Sequence, residues 1–319
     1  MGFYVDGVWN SDDHKRTKDG RYQRHASSFR NRVTRDGSSG FKAEPDRYHL
    51  YVSHNCPWAQ RTAIFRELKH LQDIISLSVV DPVMSDQGWI FSDAAGCMPD
   101  WVNGKAKLGE VYLVAKPDYT GRVTVPVLWD KKEGTIVNNE SAEIIRMMND
   151  AFEDLVGNTP DLYPEALRNE IDALNETIFE HVNGGVYKCG FATTQEAYEE
   201  AFTALFATLD DIEARLECQR YLAGSKPSEA DWRLFTTLIR FDPVYYGLFK
   251  CNRQRISDYP VLSSYTRDLY QVPGIAGTVD FDHIKRGYWH GMRRLNPAGI
   301  VPKGPDLYLD APHDRDRFN

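Results

Sequence analysis

One cysteine of this chain stands where a thiol becomes reactive. Cys56 lies in the run Asn55-Cys56-Pro57-Trp58-Ala59, between a strand-like and a helix-like stretch. Pro57 suits the first position of a helix, where its missing N–H would have no intrahelical partner. The free N–H groups and the dipole at such an N-terminus favour thiolate, so we expect a depressed pKa for Cys56. The alternative is an inert, buried cysteine.

The motif lacks a second thiol. A dithiol oxidoreductase carries another cysteine three residues on, whereas position 59 here is Ala59. A mixed disulfide on Cys56 must therefore be resolved by a thiol from solution, and glutathione is the abundant cytosolic choice. The sequence thus predicts a glutathione-dependent thiol enzyme.

Further residues suit a glutathione site. Pro126 lies in a strand-like stretch, where a cis proline would turn the Val125 backbone toward the cysteinyl part of the ligand; the alternative is an edge-strand proline. Glu140 can pair with the ligand's ammonium group, and Ser141 opens a helix whose N-terminus suits a carboxylate. The alternative for Ser141 is ordinary N-capping.

Two more candidates flank a long irregular segment. Arg122 can grip a glutathione carboxylate, and Trp89 lies near the start of the same segment. Taken alone, each is more typical of a surface or packing residue than of a ligand contact.

Composition narrows the function classes. The 319 residues are 42% hydrophobic and carry a net charge of −8, which suits a globular protein and disfavours nucleic-acid or anionic membrane partners. No apolar run is long enough to span a bilayer, and the first ten residues do not read as a signal peptide. Five scattered cysteines without a CxxC pair predict neither a disulfide framework nor a zinc ribbon, and so no metal. These features predict a cytoplasmic protein.

The elements around Cys56 predict a thioredoxin-like domain over 46–150, with an insertion at 81–121. Aromatic, β-branched and amphipathic stretches give the order β-α-β, insertion, β-β-α. The predicted elements are strands at Tyr48–Ser53, Ile74–Val80, Val123–Trp129 and Gly134–Val137, and helices from Pro57 and over Ser141–Met148.

The rest of the chain predicts helices flanked by extensions. An all-helical domain spans 165–290, and a tail rich in proline and charge spans 291–319. Residues 1–45 form an extension with a basic stretch from Lys15 to Arg35. We interpret it as solvated chain packing on the main body; the alternative is a polyanion-binding arm. The predicted helices are Glu165–His181, Gln195–Cys218, Glu229–Arg240 and Val261–Tyr270.

Together these features resemble the glutathione transferase superfamily and, within it, the glutathionyl-hydroquinone reductases, or Xi class. The resemblance covers nearly the whole chain. It rests on the thiol motif, Gly88-Trp89, Val125-Pro126, Asn139-Glu140-Ser141 and the runs Val186 to Ala192, Asp231 to Asp242 and His283 to Tyr288.

The resemblance implies an α/β thioredoxin-like N-terminal domain followed by an all-α domain, in a homodimer. Glutathione is then a co-substrate and Cys56 the nucleophile. Of the two adjacent tyrosines 245 and 246, the resemblance favours Tyr245 as a substrate contact, and Tyr246 is the alternative. The glutathione-binding residues would be Trp89, Arg122, Val125, Glu140 and Ser141, and the aromatic substrate would lie among Tyr187, Tyr245 and Tyr288.

The implied reaction removes glutathione from a glutathionyl-hydroquinone. The Cys56 thiolate would attack the sulfur, hydroquinone would leave, and a second glutathione would release glutathione disulfide. The three tyrosines would stabilise the oxygen of the leaving enolate. Two rivals remain: a general thiol transferase or dehydroascorbate reductase using Cys56, and a non-catalytic interaction protein of the same fold.

Overall fold

The computed structural model describes residues 2–11, 19–22 and 25–318. These residues form two compact units. The first unit comprises 2–11, 25–160 and Thr278–Gly291, and the second comprises 19–22, 161–277 and 292–318.

Short strands hold the described part of the N-terminal extension. β1 (Phe3–Val5) pairs antiparallel with β2 (Val8–Asn10), while β3 (Val33–Thr34) pairs in parallel with β4 (Phe41–Lys42). Arginines near these strands form ion pairs with carboxylates of the first unit, which supports the interpretation that this part of the basic stretch packs on the main body. Lys15, Arg16, Lys18 and Arg24, which belong to the same stretch, lie outside the described residues. The ion pairs are Arg30 with Glu143, Arg32 with Asp150 and Arg35 with Glu153.

A four-stranded sheet forms the centre of the first unit. Its strand order is β6-β5-β8-β9, with β5 parallel to β6 and antiparallel to β8. Every residue of β5 and β8 is buried, as expected for inner strands. The strands are β5 (Tyr48–Val52), β6 (Ile75–Val79), β8 (Val127–Asp130) and β9 (Thr135–Asn138); β7 (Gly121–Arg122) pairs instead with β1.

The described residues of the first unit contain four helices before residue 160. α1 packs against α3, and α2 lies within the insertion that the sequence left irregular. The four are α1 (Pro57–Leu68), α2 (Leu108–Ala115), α3 (Ser141–Asp150) and α4 (Glu153–Val156).

The strand prediction around Pro126 was partly wrong. The strand expected over Val123–Trp129 begins only at Val127, because a proline without an N–H cannot donate to the ladder. The next strand, expected over Gly134–Val137, is Thr135–Asn138, since Gly134 closes the turn by donating its N–H to the Asp130 carbonyl at 2.9 Å.

Helices make up the second unit. α8 (Glu229–Arg240) is buried at all 12 of its residues and forms the centre of the unit. The predicted helix over Glu165–His181 breaks into three parts, a 3₁₀ turn at Glu165–Leu167, α5 (Arg168–Thr177) and a π-helical turn at Ile178–Asn183. The other helices are α6 (Gly185–Phe191), α7 (Gln195–Cys218), α9 (Tyr246–Leu248) and α10 (Pro260–Tyr270), with a π turn at Phe241–Tyr245 and 3₁₀ turns at Ile256–Asp258 and Arg315–Phe318.

The segment Thr278–Gly291 packs in the first unit, although the sequence assigns it to the helical domain. It contains α11 (Phe281–Lys285) and a π turn at Arg286–His290. Its anchor is His283, whose Nε2 lies 2.7 Å from the Ala95 carbonyl oxygen in the insertion. This contact joins residues 188 positions apart, so local periodicity does not reveal it. No helix in the described ranges is long and apolar enough to cross a membrane.

Candidate active site

Cys56 is the N-cap residue of α1. Its carbonyl accepts the first intrahelical hydrogen bond, from the Gln60 N–H at 3.0 Å, and Pro57 occupies the first turn as predicted. The Cys56 side chain is partly exposed. Cys56 is therefore not a buried cysteine, and its reactivity stays a prediction.

The Val125 backbone lies beside this thiol. The Val125–Pro126 peptide bond is cis, as the sequence predicts. The Sγ atom of Cys56 lies 3.7 Å from the Val125 carbonyl oxygen. Because Pro126 directly precedes β8, an inner strand bonded to both β5 and β9, the edge-strand alternative is wrong.

The start of α3 carries a polar group that the described chain leaves unsatisfied. Glu140 is the N-cap residue, with Oε1 accepting from the Ala142 N–H at 3.4 Å and Oε2 accepting from the Ser27 hydroxyl at 2.9 Å. Ser141 is the first helical residue, so the alternative that it caps the helix is wrong. Its Oγ is buried and has no hydrogen-bond partner among the described residues. A hydroxyl in this position suits an incoming carboxylate.

Trp89 supplies a second unsatisfied donor in the same unit. Its side chain is only 4% exposed, yet its indole Nε1 has no hydrogen-bond partner in the described part of the chain. Its backbone is fixed, since the Leu108 N–H donates to the Trp89 carbonyl at 3.0 Å. Buried polar groups are nearly always paired, so the unpaired donors at Trp89 and Ser141 are candidates for contact with a polar ligand.

Arg122 lies on β7, opposite Phe3 of β1. The Tyr119 hydroxyl donates to the Arg122 carbonyl at 2.8 Å, which fixes the backbone, and the Arg122 side chain is half-buried. Its contact with a carboxylate stays a prediction.

The predicted tyrosines fall in different units. Tyr288 is buried in the first unit and follows Gly287, where an added Cβ would lie 1.9 Å from the Asn55 Nδ2 atom. The segment carrying Tyr288 thus packs directly on the residue before Cys56. Tyr187 and Tyr245 lie together in the helical unit, and the roles of all three tyrosines stay predictions.

The other four cysteines sit in environments unlike that of Cys56. Burial raises the pKa of the Cys97 thiol and raises that of Cys251 well above its ordinary value. Cys189 is also buried, whereas Cys218 is exposed near the end of α7. Cys56 therefore combines partial exposure with a helix N-terminus, the setting that activates a thiol.

Comparison with known proteins identifies the family. The model of the glutathione S-transferase N-terminal domain matches residues 55–151, and that of the C-terminal domain matches residues 195–268. Glutathionyl-hydroquinone reductase YqjG of Escherichia coli (strain K12) is 54% identical over 99% of both chains. Glutathionyl-hydroquinone reductase PcpF of Sphingobium chlorophenolicum is 47% identical over 96% of both.

Solved structures also match the chain over nearly its whole length. The Xi-class transferase from Natrialba magadii superimposes with a TM-score of 0.95 at 48% identity, covering 100% of this chain and 97% of that one. The glutathione-bound structure of Escherichia coli K-12 YqjG gives a TM-score of 0.92 at 51% identity over 99% of both chains. This chain belongs to the Xi class of glutathione transferases. The predicted family is thereby confirmed, and so is the fold of a thioredoxin-like domain followed by a helical one.

Sequence reasoning missed two residues that contact or adjoin the candidate site residues. Ser27, in the N-terminal extension, bonds to Glu140, and no periodicity marks it. Asn55 fixes the loop before the thiol, with Oδ1 accepting from the Ser53 hydroxyl at 2.8 Å and Nδ2 donating to the Pro82 carbonyl at 2.9 Å. Its position next to Cys56 was the one available signal.

Proposed function

We propose that this Xi-class chain is a glutathionyl-hydroquinone reductase that works through a mixed disulfide on Cys56. The observation that carries the proposal is a partly exposed thiol at the start of α1, 3.7 Å from the Val125 carbonyl. The same unit holds the orphaned donors of Trp89 and Ser141. The two glutathionyl-hydroquinone reductases compared above carry this activity in their names.

Glutathione is assigned to the first unit by matching its charges. The Val125 backbone would bind the cysteinyl amide, and the α3 N-terminus with the Ser141 hydroxyl would bind a carboxylate. Glu140 would pair with the ammonium group, and Arg122 with the remaining carboxylate. Binding of glutathione by YqjG supports this assignment.

The reaction has two displacements at sulfur. The Cys56 thiolate attacks the sulfur of the conjugate in its keto form, where the carbon bearing sulfur already carries a hydrogen. An S–S bond forms, the C–S bond breaks, and its electron pair moves into the ring as the enolate of the hydroquinone, which takes a proton on oxygen. A glutathione thiolate then attacks the mixed disulfide, releasing glutathione disulfide and the Cys56 thiolate.

The tyrosines would serve the leaving group. Phenolic O–H groups of Tyr187, Tyr245 and Tyr288 would donate to the oxygen on which the negative charge develops. This role is part of the proposal and predicts that their replacement by phenylalanine lowers turnover of the conjugate.

The decisive experiment compares wild type with Cys56→Ala on a glutathionyl-hydroquinone. We expect a loss of at least about 1,000-fold in turnover, since the nucleophile is removed. Intact mass should show a glutathione adduct on wild type alone. Cys218→Ala, which removes an exposed thiol elsewhere, is the matched control and should retain full activity. Activity surviving in Cys56→Ala would refute the mechanism.

A second assay separates the thiol transferase alternative. Wild type is offered a small aliphatic mixed disulfide of glutathione beside the hydroquinone conjugate. A reductase of the proposed kind prefers the conjugate, whereas a general thiol transferase prefers the disulfide. A protein of the non-catalytic kind turns over neither.

Compartment and assembly belong to the same proposal. Five free cysteines fit a reducing compartment, so we place the protein in the cytoplasm. We expect a homodimer, as the family resemblance implies.

A further inference from the structure

A short part of the N-terminal extension belongs to the helical unit. Residues 19–22 pack there, away in sequence from the rest of that unit. The Thr193 N–H donates to the Gly20 carbonyl at 3.1 Å, and the Thr194 hydroxyl donates to the Asp19 carbonyl at 3.1 Å. Arg21 pairs with Glu200 of α7 at 2.5 Å. These bonds fix the backbone of the segment on the loop before α7.

Gly20 makes this attachment possible. Its φ is +81°, a conformation that residues with a side chain rarely adopt. An added Cβ would lie 2.8 Å from both Thr193 Oγ1 and Thr194 Cγ2. Any side chain at position 20 must therefore displace the segment.

The attachment places Tyr22 in an aromatic group that contains two of the predicted substrate residues. The Tyr22 ring lies 6.3 Å from that of Tyr187 and 5.5 Å from that of Phe191, with interplanar angles of 26° and 30°. Tyr187 in turn contacts Tyr245 at 6.0 Å and Phe249 at 5.4 Å. Tyr22 thus extends the group by one ring, nearly parallel to Tyr187.

Burial divides this aromatic group in two. Tyr245 and Phe249 are fully buried, whereas Tyr22, Tyr187 and Phe191 are half-buried. The outer three rings therefore retain accessible surface. Near-parallel rings with accessible surface favour a flat aromatic ligand, because offset stacking is the preferred contact of such rings.

Tyr22 also has an open side. It lines a cavity of about 240 Å³ in the helical unit, together with Gly185, Lys188 and Ala201. The ring is thus held from one direction by Tyr187 and Phe191 and borders open space in another. An aromatic side chain that packs on one side and borders a cavity on another is more typical of a residue lining a binding site than of a core residue.

We propose that Tyr22 contacts the aromatic ring of the conjugate beside Tyr187 and determines which ring systems the enzyme accepts. This inference rests on the proposed function, because it concerns the hydroquinone part of that substrate. Tyr22 is a specificity-determining residue, whereas the bond-breaking chemistry remains with Cys56.

The test measures ring preference. Wild type, Tyr22→Ala and Tyr22→Phe are compared on a glutathionyl conjugate of a one-ring hydroquinone and of a two-ring naphthohydroquinone. For Tyr22→Ala we expect kcat/KM on the two-ring conjugate to fall about fivefold, mainly through KM, with a smaller loss on the one-ring conjugate. Tyr22→Phe keeps the ring and should keep the preference.

A second variant moves the segment without touching the aromatic ring. Gly20→Ala forces residue 20 away from Thr193 and should reproduce the loss of ring preference seen in Tyr22→Ala. Tyr308→Ala, which removes a tyrosine that is 77% exposed in the tail, is the matched control and should change neither substrate. Exchange of a small aliphatic mixed disulfide of glutathione, which offers no ring, should be unchanged in every variant.

The outcomes separate this inference from the proposed function. If wild type turns over neither conjugate, the proposed function fails and this inference fails with it. If wild type turns over both and Tyr22→Ala keeps the wild-type ratio between them, only the inference is wrong. An equal fall in kcat on both conjugates also overturns it, since Tyr22 would then merely support Tyr187.

Discussion

Two buried serines lie at the starts of helices, one in each unit, and they differ in whether their hydroxyl has a hydrogen-bond partner. Ser141 opens α3, and its hydroxyl has no partner among the described residues. Ser228 caps α8, and its hydroxyl donates to the Asp231 carboxylate at 2.7 Å. The two side chains are 1% and 2% exposed, so both lie away from bulk solvent.

Asp231 completes the second arrangement. Its carboxylate also accepts from the Ser228 N–H at 2.7 Å, the Leu222 N–H at 2.8 Å and the Tyr265 hydroxyl at 2.7 Å. Burial raises the pKa of this carboxyl, against the effect of these bonds. The start of α8 is thus satisfied by residues of its own unit and stabilises the fold, whereas the start of α3 retains a donor without a partner in the described chain, which we propose binds the ligand.

The largest effect should come from breaking the satisfied helix start. Asp231→Ala leaves two backbone N–H groups and the Tyr265 hydroxyl buried without their acceptor. We expect the free energy of unfolding to fall by about 3 kcal/mol. Denaturant titration measures this, and glutathione affinity of the folded protein should stay unchanged. A loss below about 1 kcal/mol would show that the network contributes little.

The second prediction compares alanine substitutions at the two serines as a matched pair. Ser141→Ala removes a donor reserved for ligand, so the Kd for glutathione should rise about tenfold while the melting temperature holds or increases slightly. Ser228→Ala removes a helix cap, so stability should fall by about 1 kcal/mol with no change in Kd.

Calorimetric titration with reduced glutathione and a thermal melt, run on both variants, decide the matter. The comparison fails if the two serine variants show the same pattern in both measurements. It would also fail if Ser141→Ala lost stability, because its hydroxyl would then have a partner within the fold.

Local sequence signals predicted the satisfied helix start better than the open one. The Ser228 and Asp231 spacing, and the bounds of α7 and α8, were correct because caps and amphipathic periodicity act within a few residues. At α3 the sequence predicted the helix but left open whether Ser141 caps it. The residue type allows both roles, and only the three-dimensional neighbours distinguish them.

Contacts between distant parts of the chain escaped prediction for a physical reason. Gly287 can pack closely on Asn55 because it has no Cβ, and Tyr22 contacts Tyr187, which lies 165 positions further along the chain. Such contacts depend on how finished elements pack, so no pattern along one strand or helix contains them. Family resemblance supplied Tyr187 and Tyr288 as candidate site residues, yet it did not point to Tyr22 or Ser27.

The smallest predicted effect on glutathione affinity comes from Ser27, which contacts the N-cap residue of α3. Ser27→Ala removes the hydroxyl that donates to Glu140 at 2.9 Å, leaving that carboxylate oriented by the Ala142 N–H. We expect the Kd for glutathione to rise about two- to threefold, since the carboxylate proposed to pair with the ligand's ammonium group loses one of the hydrogen bonds that orient it.

The adjacent Ser28 is the control for this prediction. Its hydroxyl lies 3.1 Å from that of Tyr119 and not against Glu140, so Ser28→Ala should leave the Kd unchanged. Equal effects from both variants would mean that the extension acts only by packing. A larger effect of Ser27→Ala than of Ser141→Ala would reverse the order of importance argued above. Pairing of the ligand's ammonium group with Glu140 would then contribute more to affinity than the contact of its carboxylate with the donors of α3.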